Sequence, residues 1–214
     1  MSRKRRNPLL ILAGIAVAAA AVVGALLLHE PEPPAETWED GLHATVRIID
    51  GDRAYDIELT DFPVVEGRVS YEGPEMVEGE ANWKDPHSYR GVDLGTVIDE
   101  TIGLENLVTL TAVALDGWHK TMPSTALDGA NVCGRVILAL SKDGETGDAW
   151  DAGPLLVFLP EDERFSNQDM LDALGPEYAH YFGTSPSTTG LLVKGVTFLV
   201  VNYDGGALPT LLDL

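Results

Sequence analysis

Three of the chain's five histidines, His87, His119 and His180, stand where side-chain chemistry is conceivable. His119 follows the turn Asp116-Gly117-Trp118, and His180 comes three residues after Glu177 in GPEYAHYFG. On a helix, Glu-x-x-His places a carboxylate and an imidazole on one face, a pair of metal ligands. One pair is not a site, and a third ligand such as His87 has to come from the loop before Ser88. Hydrogen-bonded, half-buried histidines are the commoner use of such residues. The one cysteine, Cys133, lies in VCGRVILAL, which reads as a strand with the thiol as a small buried core group. A metal thiolate or an intermolecular bridge is its second reading. Ser166, Ser185 and Ser187 lack a nucleophile-elbow context, so nothing points to a hydrolase. Trp83, Trp118, Trp150, Tyr178, Tyr181 and Phe182 can line a pocket, although packing is the more frequent role of aromatics.

The elements that must hold these groups are mostly short strands. Residues 43–50 and 53–59 are β-rich runs around Asp50-Gly51-Asp52, which predicts a hairpin. A further strand is expected over 64–71, and the Gly-, Pro- and acid-rich stretch 72–87 reads as a long loop. Leu94, Val97, Ile98 and Ile102 share one face of a short helix, with Asp93 as its cap and Gly103 as its stop. Strands are expected over 107–115, 118–122, 132–140, 155–159 and 191–202, the last with a bulge at Gly195. A helix over 167–174 is expected, capped by Asn167 and ended by Gly175-Pro176. The class is α+β, mainly β.

Residues 1–8 carry Arg3, Lys4, Arg5 and Arg6, and residues 9–28 run without a charge. Twenty residues at about 1.5 Å each span about 30 Å, a bilayer's hydrocarbon thickness. The segment therefore reads as a transmembrane anchor with its basic tail inside and the C-terminal body outside the cytoplasm. A cleavable signal is the competing reading. No cysteine adjoins the run, which excludes a lipoprotein anchor. Residues 29–41, rich in Pro and Glu, form a spacer, and 42–214 form one domain. Four of the 14 Lys and Arg precede Leu28 and all 34 acids follow it, so the exported part sets 10 basic against 34 acidic residues, a formal −24. Such a field excludes nucleic acid as a partner. The acids are scattered, and no D-x-D-x-D-G calcium loop is present.

Four phrases in fixed order then stand out. Tyr89, Gly91, Val92 and Leu94 make an aromatic-x-Gly-Val-x-Leu, and Ala114, Asp116, Gly117 and Trp118 close a strand ahead of Pro123. Asp143-Gly144-Glu145 follows, then a strand led by Gly153, Pro154 and Leu155 and ended by Pro160, and later Val193-Lys194. Over residues 46–201 this order resembles the oxidoreductase molybdopterin-binding domain, the sulfite-oxidase-type fold, in a small exported form. Active members of that family place a cysteine thiolate on molybdenum from the loop before the first phrase, where a soft donor binds strongly and tunes the potential. Residues 64–88 contain no cysteine, and Cys133 does not match that position. The segment 167–190 is longer than the family's usual link between its last two strands, which makes it an insertion and a candidate lid or partner contact.

The resemblance implies a molybdopterin-type scaffold tethered outside the cell membrane, without the metal, acting in ligand or partner binding. An envelope or membrane protein is the expected partner, with residues 72–89 and the insertion as contact surfaces. The alternative is a molybdopterin-dependent oxidoreductase with a non-cysteine metal site. Its candidate cofactor-binding residues are Asn82, Lys84, His87, Arg90, Trp118, His119 and Arg135. A plain surface or structural domain is the third reading.

Overall fold

The structure, a computed structural model, describes Trp38, residues 42–146, Trp150 and residues 152–203. The chain divides into two units, Met1–Ala35 and Glu36–Leu214, and the described residues belong to the second. The basic tail and the apolar run 9–28 lie outside the described residues, as does most of the spacer. Among the described residues no helix is long and apolar enough to cross a membrane.

Alternation of apolar and polar side chains builds the first hairpin. In β1 (Thr45–Asp50), Val46 and Ile48 point inward while Thr45 and Arg47 face solvent. The chain turns at Gly51, with φ +57°, into β2 (Arg53–Glu58). Arg47 stands directly across from Asp56 and donates to both its carboxylate oxygens, at 2.6 and 3.0 Å. After β3 (Val64–Tyr71) and the loop come β4 (His87–Asp93) and helix α1 (Leu94–Thr101). The Asp93 carboxylate accepts from the Thr96 N–H at 2.7 Å, and Gly103 at φ +83° follows the helix, both as the sequence predicts.

The remaining strands are β5 (Thr109–Ala114), β6 (His119–Pro123), β7 (Arg135–Lys142), β8 (Glu145–Thr146), β9 (Leu155–Leu159) and β10 (Arg164–Phe165). Helix α2 (Asn167–Leu174) leads to a small hairpin, β11 (Tyr181–Phe182) and β12 (Ser185–Pro186), and β13 (Val196–Asn202) closes the described part. One sheet has the order β2-β1-β13-β5-β6, with β1 and β13 parallel. The other runs β10-β3-β4-β7-β8, and β9 also pairs with β7. One apolar core takes residues from both sheets, among them Ile48, Leu110 and Leu199 from the first and Val92, Leu138 and Leu156 from the second, with Val97 and Ile98 of α1. The described domain is α+β and mainly β.

Local sequence reading leaves one segment unassigned and misplaces three features. The phrase from Tyr89 to Val92 is an interior strand between β3 and β7, because burial of Tyr89, Gly91 and Val92 outweighs its glycine content. The cap of α2 is Ser166 rather than Asn167: Ser166 Oγ accepts from the Asp169 N–H, and Asp169 accepts from the Ser166 N–H at 2.9 Å. The last strand begins at Val196, since residues 188–191 form a 3-10 turn, and its register slips between Val196 and Phe198, past Gly195. Cys133 is fully buried as expected, but on the turn that leads into β7 rather than within the strand.

Candidate functional site

The turn between β5 and β6 is set by three hydrogen bonds. Gly117 N–H donates to Ala114 O (3.0 Å), Ala114 N–H donates to Trp118 O (2.8 Å), and the Asp116 carboxylate accepts from Trp118 N–H (2.9 Å). Gly117 sits at φ +87°, where a side chain would be strained. The turn holds Trp118 outward, 46% exposed. Lys120 Nζ stands 5.3 Å from the centre of the Trp118 ring and 2.8 Å from His180 Nδ1. The His180 ring meets the Trp118 ring edge to face at 6.0 Å.

Burial lowers the pKa of Lys120, and burial together with the nearby Lys120 charge lowers that of His180. A neutral His180 accepts the ammonium proton at Nδ1 and therefore carries its own proton on Nε2. That edge of the ring packs against Gly190, where a Cβ would lie 1.8 Å from His180 Cδ2. Residues 176–178 form a turn rather than a helix, so the helical Glu-x-x-His ligand pair is not formed. Among the described residues no group of three or more His, Cys, Asp and Glu is arranged to hold a metal ion.

A second construction braces the long loop. The Glu72 carboxylate accepts from Asn167 N–H (2.8 Å), and the Asn167 side-chain amide donates to Gly73 O (3.1 Å). Thr188 N–H lies between Glu72 O (3.0 Å) and Asn167 Oδ1 (2.9 Å), and the buried Thr188 hydroxyl accepts from Glu72 N–H at 2.9 Å. Arg164 of β10 stacks over Trp83 at 4.2 Å, and Trp83 bridges back to Glu72. Residues 73–82 thus project from a fixed base, with Met76 75% exposed and Val77 exposed beside it.

The seven predicted cofactor residues occupy several places. Lys84 donates to Asn82 Oδ1 (3.0 Å), and Asn82 donates to Pro74 O (2.9 Å), both within the braced loop. His87 Nδ1 is 2.7 Å from the Asp143 carboxylate, beyond the C-terminal end of β7. Arg90 pairs with Glu66 and lies 5.9 Å from the Trp38 ring centre. Trp118 and His119 adjoin on the β5–β6 turn, where His119 Nδ1 is 3.1 Å from Gly117 O. Arg135 opens β7, eight residues and roughly 25 Å of strand from Asp143. Among the described residues it borders clefts of about 360 and 310 Å³ that share Gly129 with a third of about 370 Å³, and acids such as Asp128, Glu161 and Asp162 stand among their mostly uncharged lining. Lys120, Glu72, Asn167 and Thr188 escaped sequence reading, because each acts through a partner 60 to 116 residues away.

Cys133 is held apart from all of this. Its sulfur is 2.5 Å from Asn131 Oδ1, and burial pushes the thiol pKa up to about 12. Ellman's reagent at pH 8 is therefore expected to leave the native protein unmodified and to titrate one thiol after denaturation in guanidinium. Rapid reaction of the native protein would contradict this placement.

No protein-family model and no curated protein sequence matches the chain.

Proposed function

We propose that this is a membrane-anchored, extracytoplasmic domain on a sulfite-oxidase-type scaffold that works without the metal and binds a membrane or envelope protein through the loop at residues 73–86. The observation that carries the reading is the brace. Loop and insertion, foreseen separately as contact surfaces, share one hydrogen-bond network through Glu72, Asn167 and Thr188. A loop ordered before binding loses less conformational entropy on docking. Its exposed Met76 and Val77 supply adaptable apolar contact.

The donor set does not fit a molybdenum pterin of the kind active members hold. The chain's one thiol is buried at the β7 end of the domain with a raised pKa, and residues 64–88 offer no other. Three of the ten basic residues of the exported part are committed to carboxylates, Arg47 to Asp56, Arg68 to Glu163 and Arg90 to Glu66, which leaves fewer for a cofactor phosphate.

Full-length protein made in a cofactor-competent host is expected to contain neither molybdenum, tungsten nor releasable pterin in stoichiometric amount. Stoichiometric metal with pterin would overturn the reading in favour of an oxidoreductase with a non-cysteine site. A photo-crosslinker at Val77 in native membranes is expected to give one discrete protein adduct that weakens in Asn167→Ala, which loosens the brace. The same probe at Val132, exposed but on the turn before β7, is expected to give none.

A further inference from the structure

The register of the five-stranded sheet sorts its two ends. Arg47 of β1 lies beside Phe198 of β13, Phe198 across from Val113 of β5, and Val113 across from His119 of β6. The start of β1, where the chain enters the domain at residues 42–45, therefore shares an end with the Leu115–Trp118 turn and with Lys194. Asp50, Gly51, Asp52 and Tyr203 lie at the other end. Strands are about 4.8 Å apart, so β1 and β5, two steps apart in the sheet, are separated by about 10 Å.

The entry end is apolar at its tip. Leu115 is 84% exposed and Trp118 46%. His180 rests on the Trp118 ring and leads into the β11–β12 hairpin, where Tyr181 is exposed and Phe182 70% exposed. Alternation along that extended segment puts Phe182 on the His180 side. Lys120 and His180 stand against the Trp118 ring, and His119 follows it on the turn. The nearby Asp116 and Glu58 carboxylates are both occupied by backbone N–H groups, of Trp118 and Ala44.

We infer that this end of the domain, Leu115, Trp118 and Phe182, is a lipid-facing surface that dips into the interface of the bilayer. The inference rests on the reading of residues 9–28 as a membrane anchor. Trp favours the headgroup level, where an apolar body and a polar edge are both satisfied. The 13 residues 29–41 reach at most about 45 Å, so a bilayer that holds the anchor stays within that distance of Leu42. At such a tether length the local concentration of membrane is high, and a weak contact suffices to orient the body. The formal −24 of the exported part opposes anionic headgroups, so zwitterionic lipid is the preferred surface. With this end on the membrane, the insertion divides its labour between the loop brace at Asn167 and Thr188 and the lipid contact at Phe182.

The test uses full-length protein in phosphatidylcholine vesicles. An environment-sensitive fluorophore is attached at Thr184→Cys, in the exposed hairpin turn, or at Asp52→Cys, at the opposite sheet end; the buried Cys133 stays in place. The Thr184 label is expected to shift to the blue and to be quenched severalfold by nitroxide lipids, while the Asp52 label stays in water. Quenching at Thr184 is expected to fall about tenfold on adding Leu115→Ser and Phe182→Ser, and to weaken when phosphatidylglycerol replaces part of the phosphatidylcholine. A Thr184 label that remains in water, on protein that floats with the vesicles and resists carbonate extraction, would overturn the lipid-facing surface and leave the anchor standing. Protein that does not float would remove the anchor and this inference with it. A blue shift that follows protein density rather than lipid would assign the surface to a second copy of the chain instead.

Discussion

Gly91→Ala is expected to destabilise the domain by about 3 kcal/mol or more, the upper part of the range for overpacking a filled core. In a domain of this size that lowers the thermal midpoint by roughly 6–12 °C. Gly91 is buried in β4, and a Cβ there would stand 2.3 Å from Leu138 O, 2.6 Å from Ala139 Cα and 2.7 Å from Leu138 C. All three are backbone atoms of β7, the strand to which β4 is hydrogen-bonded, so none can swing aside as a side chain can. The ladder already slips at this point, Arg90 facing Ser141 and Gly91 facing Ala139. Gly67→Ala in β3 is the control. Its Cβ would meet only the Leu159 side chain, the nearest atom at 2.8 Å, and a rotamer change relieves that. Its expected cost is under about 1.5 kcal/mol. Thermal unfolding followed by circular dichroism separates the two variants, and a Gly91→Ala midpoint within about 2 °C of the parent would refute the clash.

Tyr71→Phe is expected to cost about 2–3 kcal/mol, the penalty of leaving buried backbone groups without partners. The Tyr71 hydroxyl donates to Phe158 O at 3.0 Å and accepts from Phe158 N–H at 2.8 Å. Phe158 belongs to β9, which pairs with β7 on one side. A single phenol therefore closes the other edge of the strand at this residue. The ring also meets Phe165 edge to face at 6.0 Å, while Phe165 stacks on Phe158 at 5.2 Å. Phenylalanine keeps these ring contacts and removes only the two hydrogen bonds, and burial holds the native phenol protonated far above its ordinary pKa. In urea titrations the midpoint is expected to fall with the slope unchanged, since the same surface is exposed on unfolding. An unchanged midpoint would mean that another group satisfies Phe158.

Both residues show how far a sequence reading reaches. Gly91 stood out as part of a recognisable phrase, yet the reason for a glycine there is a backbone 47 residues away. Tyr71 ended a strand that alternation located well, and nothing in its neighbourhood announced Phe158. Caps behaved differently. Asp93 and Gly103 were legible because their work is done within one helical turn. Ser166 was missed by one residue for a related reason: Asn167 is an equally good cap by type. Its side chain is engaged instead by Gly73 and Thr188, which only the folded chain brings near.

The candidate site divides along the same line. Trp118, His119 and the DGW turn were visible because a tight turn is local chemistry, whereas Lys120 against His180, and Glu72 against Asn167 and Thr188, depend on pairings across the fold. Sequence by itself determined the mainly β class, most strand positions, the acidic charge of residues 29–214, the single cysteine and the long loop without a thiol. Each of these is a property of composition or of a few neighbouring residues. Tertiary structure alone decided that the loop is braced, that Cys133 sits on the turn before β7, and that the chain's entry point shares a sheet end with Leu115 and Trp118. Register, burial and close approach arise only when segments distant in the chain are packed together, and no local pattern of residues encodes which ones will meet.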